Sequence, residues 1–507
     1  MQMENWDGYL KGGRKSGEER LSSAVQTMVP VMERMTVGFM ALIIRLLIQF
    51  PINIFSCERR RIMNPYIQYM YSYPHKTAYR PLKGVNLRDY GERLRGGGNG
   101  LYLHIPFCET KCGYCNLFSV TGEKTESIDR YLDAVERQIQ QYGEILSSVQ
   151  AEFSSFTIGG GTPLYLTKKQ LERVFDMVEK GIALEKDKEI VIETAPNQTT
   201  KEKLDLLKAR GVTRVSMGIQ SFQEEELRTL RRSHSVYRAR TALHQLKSYE
   251  FPCLNLDFIY GIPGQTEESF LETLQEAESY RPEEIFLYPL YVKHGAGLIK
   301  DIREGMVLDP WRAQREYEAG SRYLVQKGYR QDSMRRFVRQ NAKNRTFSDC
   351  GFGSCLALGC GGRSYLGNLH FCTPYAITRN DCLKELEQFE NTRDFTQITH
   401  GIFLSREEEK ARYVIRHLLI RPGISEEEYE RYFGTCLLKD FPLLEQWIEQ
   451  DFLSRNQGFL GLTDKGLKVS DNLGPMLISP DIRKKMEEWE ELYGENHDSL
   501  QGQFKKL

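Results

Sequence analysis

Cys108, Cys112 and Cys115 stand at C-x3-C-x2-C spacing in YLHIPFCETKCGYCNLF, residues 102–118. Three thiolates so close together on a loop can ligate one soft metal centre, and thiolates select zinc, copper(I) or iron-sulfur clusters. The number of cysteines is informative. A cubane [4Fe-4S] cluster has four irons, so three cysteines leave one iron open to a substrate or cofactor. Phe107 and Tyr114 flank the thiolates with apolar bulk, which limits solvent access and tunes such a centre. His104 offers a competing set, because with the three cysteines it makes a four-ligand Cys3His zinc site. Structural zinc sites usually pair their ligands across two knuckles, whereas these residues share one strand-to-loop segment.

The loop needs a strand to carry it. Residues 101–105 are apolar, and Pro106 ends the run because proline cannot donate to a sheet ladder. Further strands are expected over 153–158, 189–193, 214–217, 253–260 and 285–288, with amphipathic helices such as 128–145 and 168–180 between them. Repeated strand-helix units of this kind point to a parallel sheet, and six of them to an α/β fold with a partial (β/α)6 barrel. Chemistry in such barrels sits at the C-terminal ends of the strands, where the cysteine loop emerges.

The other strand ends are then candidates. Gly159-Gly160-Gly161-Thr162 follows the second strand, and glycines let a backbone approach a ligand closely. Glu193 closes the third. The fourth runs into Gln220, followed by a basic segment with Arg231, Arg232 and His234, of which Arg231 reads as a solvated helix-face residue. Asp257 lies within the apolar LNLDFIYG, and an acid buried there needs a partner.

C-x3-C-x2-C with an aromatic before the last cysteine resembles the radical S-adenosylmethionine (SAM) enzymes. The fuller HIPFC…C-x-YC is similar to one branch, the oxygen-independent coproporphyrinogen III oxidases and their haem-chaperone relatives. The resemblance spans about 65–480. It implies a radical SAM barrel in which Cys108, Cys112 and Cys115 hold a [4Fe-4S] cluster. Its open iron would chelate SAM, and an electron from a low-potential donor would cleave SAM to methionine and a 5′-deoxyadenosyl radical. By the same resemblance Gly160, Gly161 and Thr162, in GGGTP, belong to the motif that meets the SAM amino group. Glu193, Gln220, Arg232 and Asp257 would contact SAM, Gln220 and Asp257 at ribose hydroxyls and Arg232 by gripping a carboxylate bidentately, with Tyr102, Tyr114 and Ile259 beside it. The substrate would be a porphyrinogen or another tetrapyrrole, oxidatively decarboxylated. The oxidases follow the third cysteine with Gly-Cys. This chain has Asn116-Leu117-Phe118, closer to the chaperones, so a haem-binding protein that keeps the cluster and SAM fold is the alternative.

Composition frames this reading. At 507 residues two or three domains are expected. Lys+Arg and Asp+Glu both number 69, so no global field draws the chain to nucleic acid. Eleven cysteines in so long a chain do not make a disulfide scaffold, and a reactive thiolate cluster belongs in a reducing cytoplasm. Residues 1–62 read as an extension. The apolar run at 37–50 is interrupted by Arg45 and falls short of the roughly 20 residues of a spanning helix, so no membrane partner is expected. Arg59-Arg60-Arg61 before Met63 is compatible with a ribosome-binding site, and translation is expected to start at Met63.

The remaining boundaries are a tyrosine-rich lead-in at 63–100, a core barrel at 101–300, a bridging segment at 301–400 and a cap at 401–507. The tyrosines are expected to pack outside a core rather than line a pocket. Cys350, Cys355, Cys360, Cys372 and Cys382 in the bridging segment leave open a second cluster or small buried thiols in a glycine loop. Helices over 406–419, 426–433 and 443–450 with a short hairpin predict a C-terminal winged-helix-like α+β domain over the barrel mouth. The glutamate-rich last helix gives DNA binding little electrostatic support.

Overall fold

Strand-helix alternation produces six strands in chain order: β1 (Gly96–Ile105), β2 (Ala151–Gly160), β3 (Leu184–Thr194), β4 (Arg214–Gln220), β5 (Cys253–Tyr260) and β6 (Glu284–Pro289). Every neighbouring pair is parallel. Between them run α1 (Thr125–Ser148), α2 (Lys168–Gly181), α3 (Lys201–Ala209), α4 (Val236–Tyr249) and α5 (Glu267–Ser279), and α6 (Pro310–Gln326) follows β6. This computed structural model describes residues 66, 70, 72–293, 295–340 and 352–494, all within the unit Asn64–Leu507. The apolar run at 37–50, the expected start at Met63 and Cys350 lie outside the described residues.

Local chemistry explains the boundaries. Thr167 and Gln170 form a reciprocal capping box that opens α2, and Thr266 with Ser269 does the same for α5. β5 reads CLNLDFIY and is buried at every position but Asp257, as expected of a parallel strand covered on both faces. β1 reaches further back than its apolar residues suggest, through Gly96-Gly97-Gly98, because ladder pairing uses the backbone and needs no side chain.

The six strands are the centre of a thirteen-stranded sheet. Beyond β6 the strands Arg336–Arg339 and Tyr329–Gln331 continue antiparallel. On the other side Cys355–Leu358 runs parallel to β1, with Leu358 paired to Leu103, and antiparallel strands Arg363–Leu366, Leu369–Cys372 and His400–Phe403 extend the edge. The glycine- and cysteine-rich stretch thus becomes a strand beside the one that carries the cysteine loop.

In the C-terminal part, helices Arg406–Leu418, Glu426–Phe433 and Leu443–Glu449 pack with a three-stranded sheet whose order is Ile424–Ser425, Phe459–Leu462, Leu453–Asn456. This winged-helix-like unit has its own apolar core around Val414, Tyr429, Trp447 and Leu460. Tyr73 and Tyr79 of the lead-in are buried in that core, and the Tyr73 hydroxyl donates to Glu408. Tyr66 meets Tyr260 of β5 instead, with ring centroids 5.8 Å apart. A buried Arg335–Asp471 ion pair ties this unit to the barrel side, where the Tyr291 hydroxyl also donates to Asp471 at 2.5 Å. Among the described residues no helix is long and apolar enough to cross a membrane.

Candidate functional site

Beyond Pro106 the chain leaves the sheet, and Phe107–Cys108 pairs with Val120–Thr121, closing the loop at its base. Distant segments then clamp the loop. The Gly113 N–H donates to the Leu230 carbonyl at 2.9 Å, the Leu298 N–H donates to the Gly113 carbonyl at 2.7 Å, and Lys111 Nζ donates to the Ile377 carbonyl at 2.6 Å.

Cys108, Cys112 and Cys115 are free, half-buried thiols on this clamped loop. The Thr162 hydroxyl lies 3.7 Å from Cys108 Sγ, and Arg232 Nη1 lies 3.0 Å from Cys112 Sγ. Burial pushes the Cys108 thiol up to about 12 and raises that of Cys115. A bound metal reverses this, because a coordinated thiol is deprotonated outright. Arg232 Nη2 donates to the Gly218 carbonyl at 2.7 Å, and its Nε is buried without a partner. The guanidinium expected to grip a carboxylate therefore already spans the cysteine loop and β4. Its sequence neighbour Arg231 is exposed at a turn, not on a helix face, and ion-pairs with Asp301 at 2.7 Å.

His104 resolves the competing zinc set. Its Nε2–H donates to the Phe118 carbonyl at 2.9 Å, and the Tyr102 hydroxyl lies 3.1 Å from Nδ1. Burial lowers its pKa to about 4, so the ring is neutral with both nitrogens engaged. It is an anchor for the loop's far end, not a ligand. Among the described residues no group of three or more His, Cys, Asp or Glu is arranged to hold a single metal ion. Three thiols that each meet a different iron of a cubane do not need to converge on one point.

The strand ends supply the rest of the site. Glu193, on β3, accepts from the Gly160 N–H at 3.1 Å. Gly161 N–H donates to the Ile105 carbonyl at 2.8 Å and Thr162 N–H to the Phe107 carbonyl at 2.9 Å, so the glycine turn is sewn to the start of the cysteine loop. A Cβ on Gly161 would stand 2.9 Å from Cys108 Sγ. Gln220 ends β4 with φ of 73° just after a register shift. A left-handed glutamine is strained backbone of the kind that accumulates at ligand sites, and the sequence carries no signal of it. On β5, Asn255 Nδ2 donates to Asp257 Oδ1 at 2.8 Å, and burial raises the Asp257 carboxyl to about 6. Ile259 shares an apolar cluster with Leu230, Ile262 and Tyr114, and burial raises the Tyr114 hydroxyl well above its ordinary range.

The expected residues therefore gather at one end of the sheet. Three free thiols, a guanidinium against one of them and glycines that leave room for a sulfur fit a [4Fe-4S] cluster. The clamps at Gly113 and Lys111 and the Arg231–Asp301 pair were not among the expectations, because each joins loop residues to partners far away in the chain. In the bridging segment Cys360, Cys372 and Cys382 are buried, which raises their pKa values.

Residues 102–277 match the radical SAM superfamily. Over 434 residues the chain is 26% identical to the oxygen-independent coproporphyrinogen III oxidase of Escherichia coli, a match that covers 80% of this chain and 92% of that protein. Over 213 residues it is 34% identical to the heme chaperone HemW of Mycobacterium tuberculosis, covering 42% of this chain and 54% of that one. Among solved structures, the E. coli coproporphyrinogen III oxidase HemN, described as a radical SAM enzyme, aligns with a TM-score of 0.68 over 78% of this chain and 93% of that chain, at 24% identity. That last likeness is one of fold.

Proposed function

We propose that this protein, whose residues 102–277 match the radical SAM superfamily, is a radical SAM enzyme of the coproporphyrinogen III oxidase type, acting on a porphyrinogen or related tetrapyrrole. The observation that carries the reading is the Arg232 guanidinium 3.0 Å from Cys112 Sγ, at the end of the sheet where Glu193 is fixed on the glycine turn. Cys108, Cys112 and Cys115 would hold a [4Fe-4S] cluster. Such a cluster, when bound, supplies the low-potential electron that cleaves SAM reductively and so begins hydrogen abstraction from the substrate.

The chain's own residues have separable tasks. Arg232 places positive charge against a thiolate that would otherwise be poorly solvated, and its bond to Gly218 holds it there. Gly160, Gly161 and Thr162 give SAM a backbone surface, and Glu193 offers a carboxylate fixed by the Gly160 N–H. Gln220 and Asp257 are suited to ribose hydroxyls. Tyr114 and Ile259 exclude water from the same space, and Tyr102 steadies the ring of His104. The electron would come from a low-potential donor in the cytoplasm.

Asp257 makes this assignment pH-dependent. Below its raised pKa of about 6 the carboxyl is protonated, and above it the ionised group accepts more strongly from a hydroxyl. SAM affinity, measured by equilibrium dialysis between about pH 5 and pH 8, is expected to climb through that value and level off above it. Asp257→Asn is expected to remove the step. An affinity equally flat in both proteins would take Asp257 out of the SAM site.

A second reading is a haem chaperone, favoured by Asn116-Leu117-Phe118 after the third cysteine and by the HemW similarity. One anaerobic assay separates the two. The reconstituted protein is given SAM, a strong reductant and coproporphyrinogen III, and 5′-deoxyadenosine is followed together with tetrapyrrole mass. Stepwise loss of formic-acid equivalents with matching deoxyadenosine is the result expected of the oxidase. Deoxyadenosine with unaltered porphyrinogen would redirect the search to another substrate, and haem binding without SAM cleavage would establish the chaperone.

A further inference from the structure

The face of the sheet that carries Asp257 is polar, where a barrel interior is usually filled by branched apolar side chains. Glu193 of β3 pairs with Ser216 of β4, Ser216 with Asn255 of β5, and Asn255 with Glu284 of β6. Residues in register on neighbouring parallel strands point to one side, so these four form a row across the sheet. Asp257, two residues beyond Asn255, shares its face. Within the row Asn255 makes two contacts through one nitrogen. Its Nδ2 donates to Ser216 Oγ at 2.7 Å and to Asp257 Oδ1 at 2.8 Å. Asn255 is only 2% exposed, so water does not compete for either bond.

The other end of that amide is unserved. Asn255 Oδ1 is buried and accepts from no donor among the described residues, an arrangement that costs stability. Turning the amide over would set this oxygen against the Asp257 carboxylate, which when ionised has no proton to offer, so the observed orientation is the one that serves the acid. An apolar residue here would avoid the cost and lose both donors. Charged neighbours do not replace them. The ionisable groups that bear on Asp257 are Arg214 of β4, Glu284 of β6 and Tyr114 of the cysteine loop. Arg214 and Glu284 are both buried and lie 2.6 Å apart, and Arg336 joins Glu284 to Asp332, so these charges are matched among themselves. Burial keeps the Tyr114 hydroxyl protonated. Orientation of the carboxylate is left to Asn255 and Ser216, whose side chains both favour its ionised form.

We propose that Asn255, braced by Ser216, is a positioning residue that aims the Asp257 carboxylate at the ribose hydroxyls of SAM. The inference rests on the placing of Asp257 at SAM in the reading above. A carboxylate turns readily about its terminal bond. A donor at 2.8 Å fixes one oxygen, and with it the direction in which the lone pairs of the other point. Ser216 in turn keeps the amide from rotating, because both hydrogens of Nδ2 are then engaged.

The test is a double-mutant cycle on the reconstituted full chain, read as SAM affinity by equilibrium dialysis across pH, with iron content and melting temperature to show that each variant is folded. Asn255→Leu is expected to weaken SAM binding roughly tenfold at neutral pH. Loss of its donors disfavours the ionised carboxyl, so the midpoint of the pH profile is expected to move up by about one unit. In an Asp257→Ala protein the same substitution is expected to have no further effect. Ser216→Ala, a smaller change, is expected to act in the same direction by about threefold, and it carries the decision if Asn255→Leu does not fold. Wild-type affinity and midpoint in the folded variant, or an equal loss with and without Asp257, would overturn the positioning role. Asp257→Ala protein that binds SAM as tightly as wild type would overturn the placing of Asp257 as well. Weakened binding in Asp257→Ala beside unchanged binding in Asn255→Leu would keep that placing and remove only the role of Asn255.

Discussion

Cys112→Ala protein is expected to fold, to lose most of its iron after reconstitution and to form no detectable 5′-deoxyadenosine. Two thiols cannot replace three on a loop whose backbone is clamped at Gly113 and Lys111. The loss also reaches Arg232, which gives up the acceptor of Nη1 while its Nε is already buried without a partner. Leaving buried donors unsatisfied costs about 1–3 kcal/mol, so a modest drop in stability is expected beside the complete loss of turnover. Cys436→Ala is the control, because that thiol is exposed in the C-terminal unit. It is expected to keep both iron and activity. Full iron and normal SAM cleavage in the Cys112 variant would remove the loop from the chemistry.

The second large effect is expected from Gly160→Ala. Gly160 has φ of 116°, and a Cβ there would come within 2.6 Å of the His104 ring. The ring is held at both nitrogens, by Phe118 and by Tyr102, and cannot step aside cheaply. Backbone strain and overpacking each cost about 1–3 kcal/mol, so a loss of about 3–5 kcal/mol is expected from the urea midpoint. Gly211→Ala supplies the comparison. Gly211 also has positive φ, 70°, but nothing lies within 4 Å of its added Cβ. Its substitution is expected to cost only the left-handed backbone term of about 1–2 kcal/mol. Equal losses at the two positions would mean that the imidazole yields and that the His104 anchor is soft.

Short-range patterns were the legible part of this molecule. The cysteine spacing and the stop at Pro106 act over a few residues, so the string of residues states them directly. The strand-helix alternation set the parallel sheet for a similar reason, since apolar runs bounded by turns have few other places to go. Asp257 was legible through its conflict with the apolar run around it, and in the structure Asn255 supplies the partner that conflict demanded.

Other roles were visible only as residue types. His104 offered the fourth ligand of a zinc set that its place on the same segment as the cysteines already disfavoured, and its hydrogen bonds to Phe118 and Tyr102 decided against it. The guanidinium of Arg232 read as a carboxylate clamp, and folding placed it against Cys112 and Gly218.

By itself, then, the sequence determined which chemistry is possible: three thiolates on one loop, glycines after the second strand and polar residues at the strand ends. Tertiary structure decided which of those groups meet. It laid Cys355–Leu358 beside β1 and bonded Arg363 to Ser72 across 291 residues. It also turned Gln220 left-handed and tied the cysteine loop to Leu298. The physical reason is one of range. Capping, turns and ligand spacing are settled by neighbours in the chain, whereas pairing of distant strands and compensation of buried charge depend on the summed packing of the whole core, which no local pattern encodes.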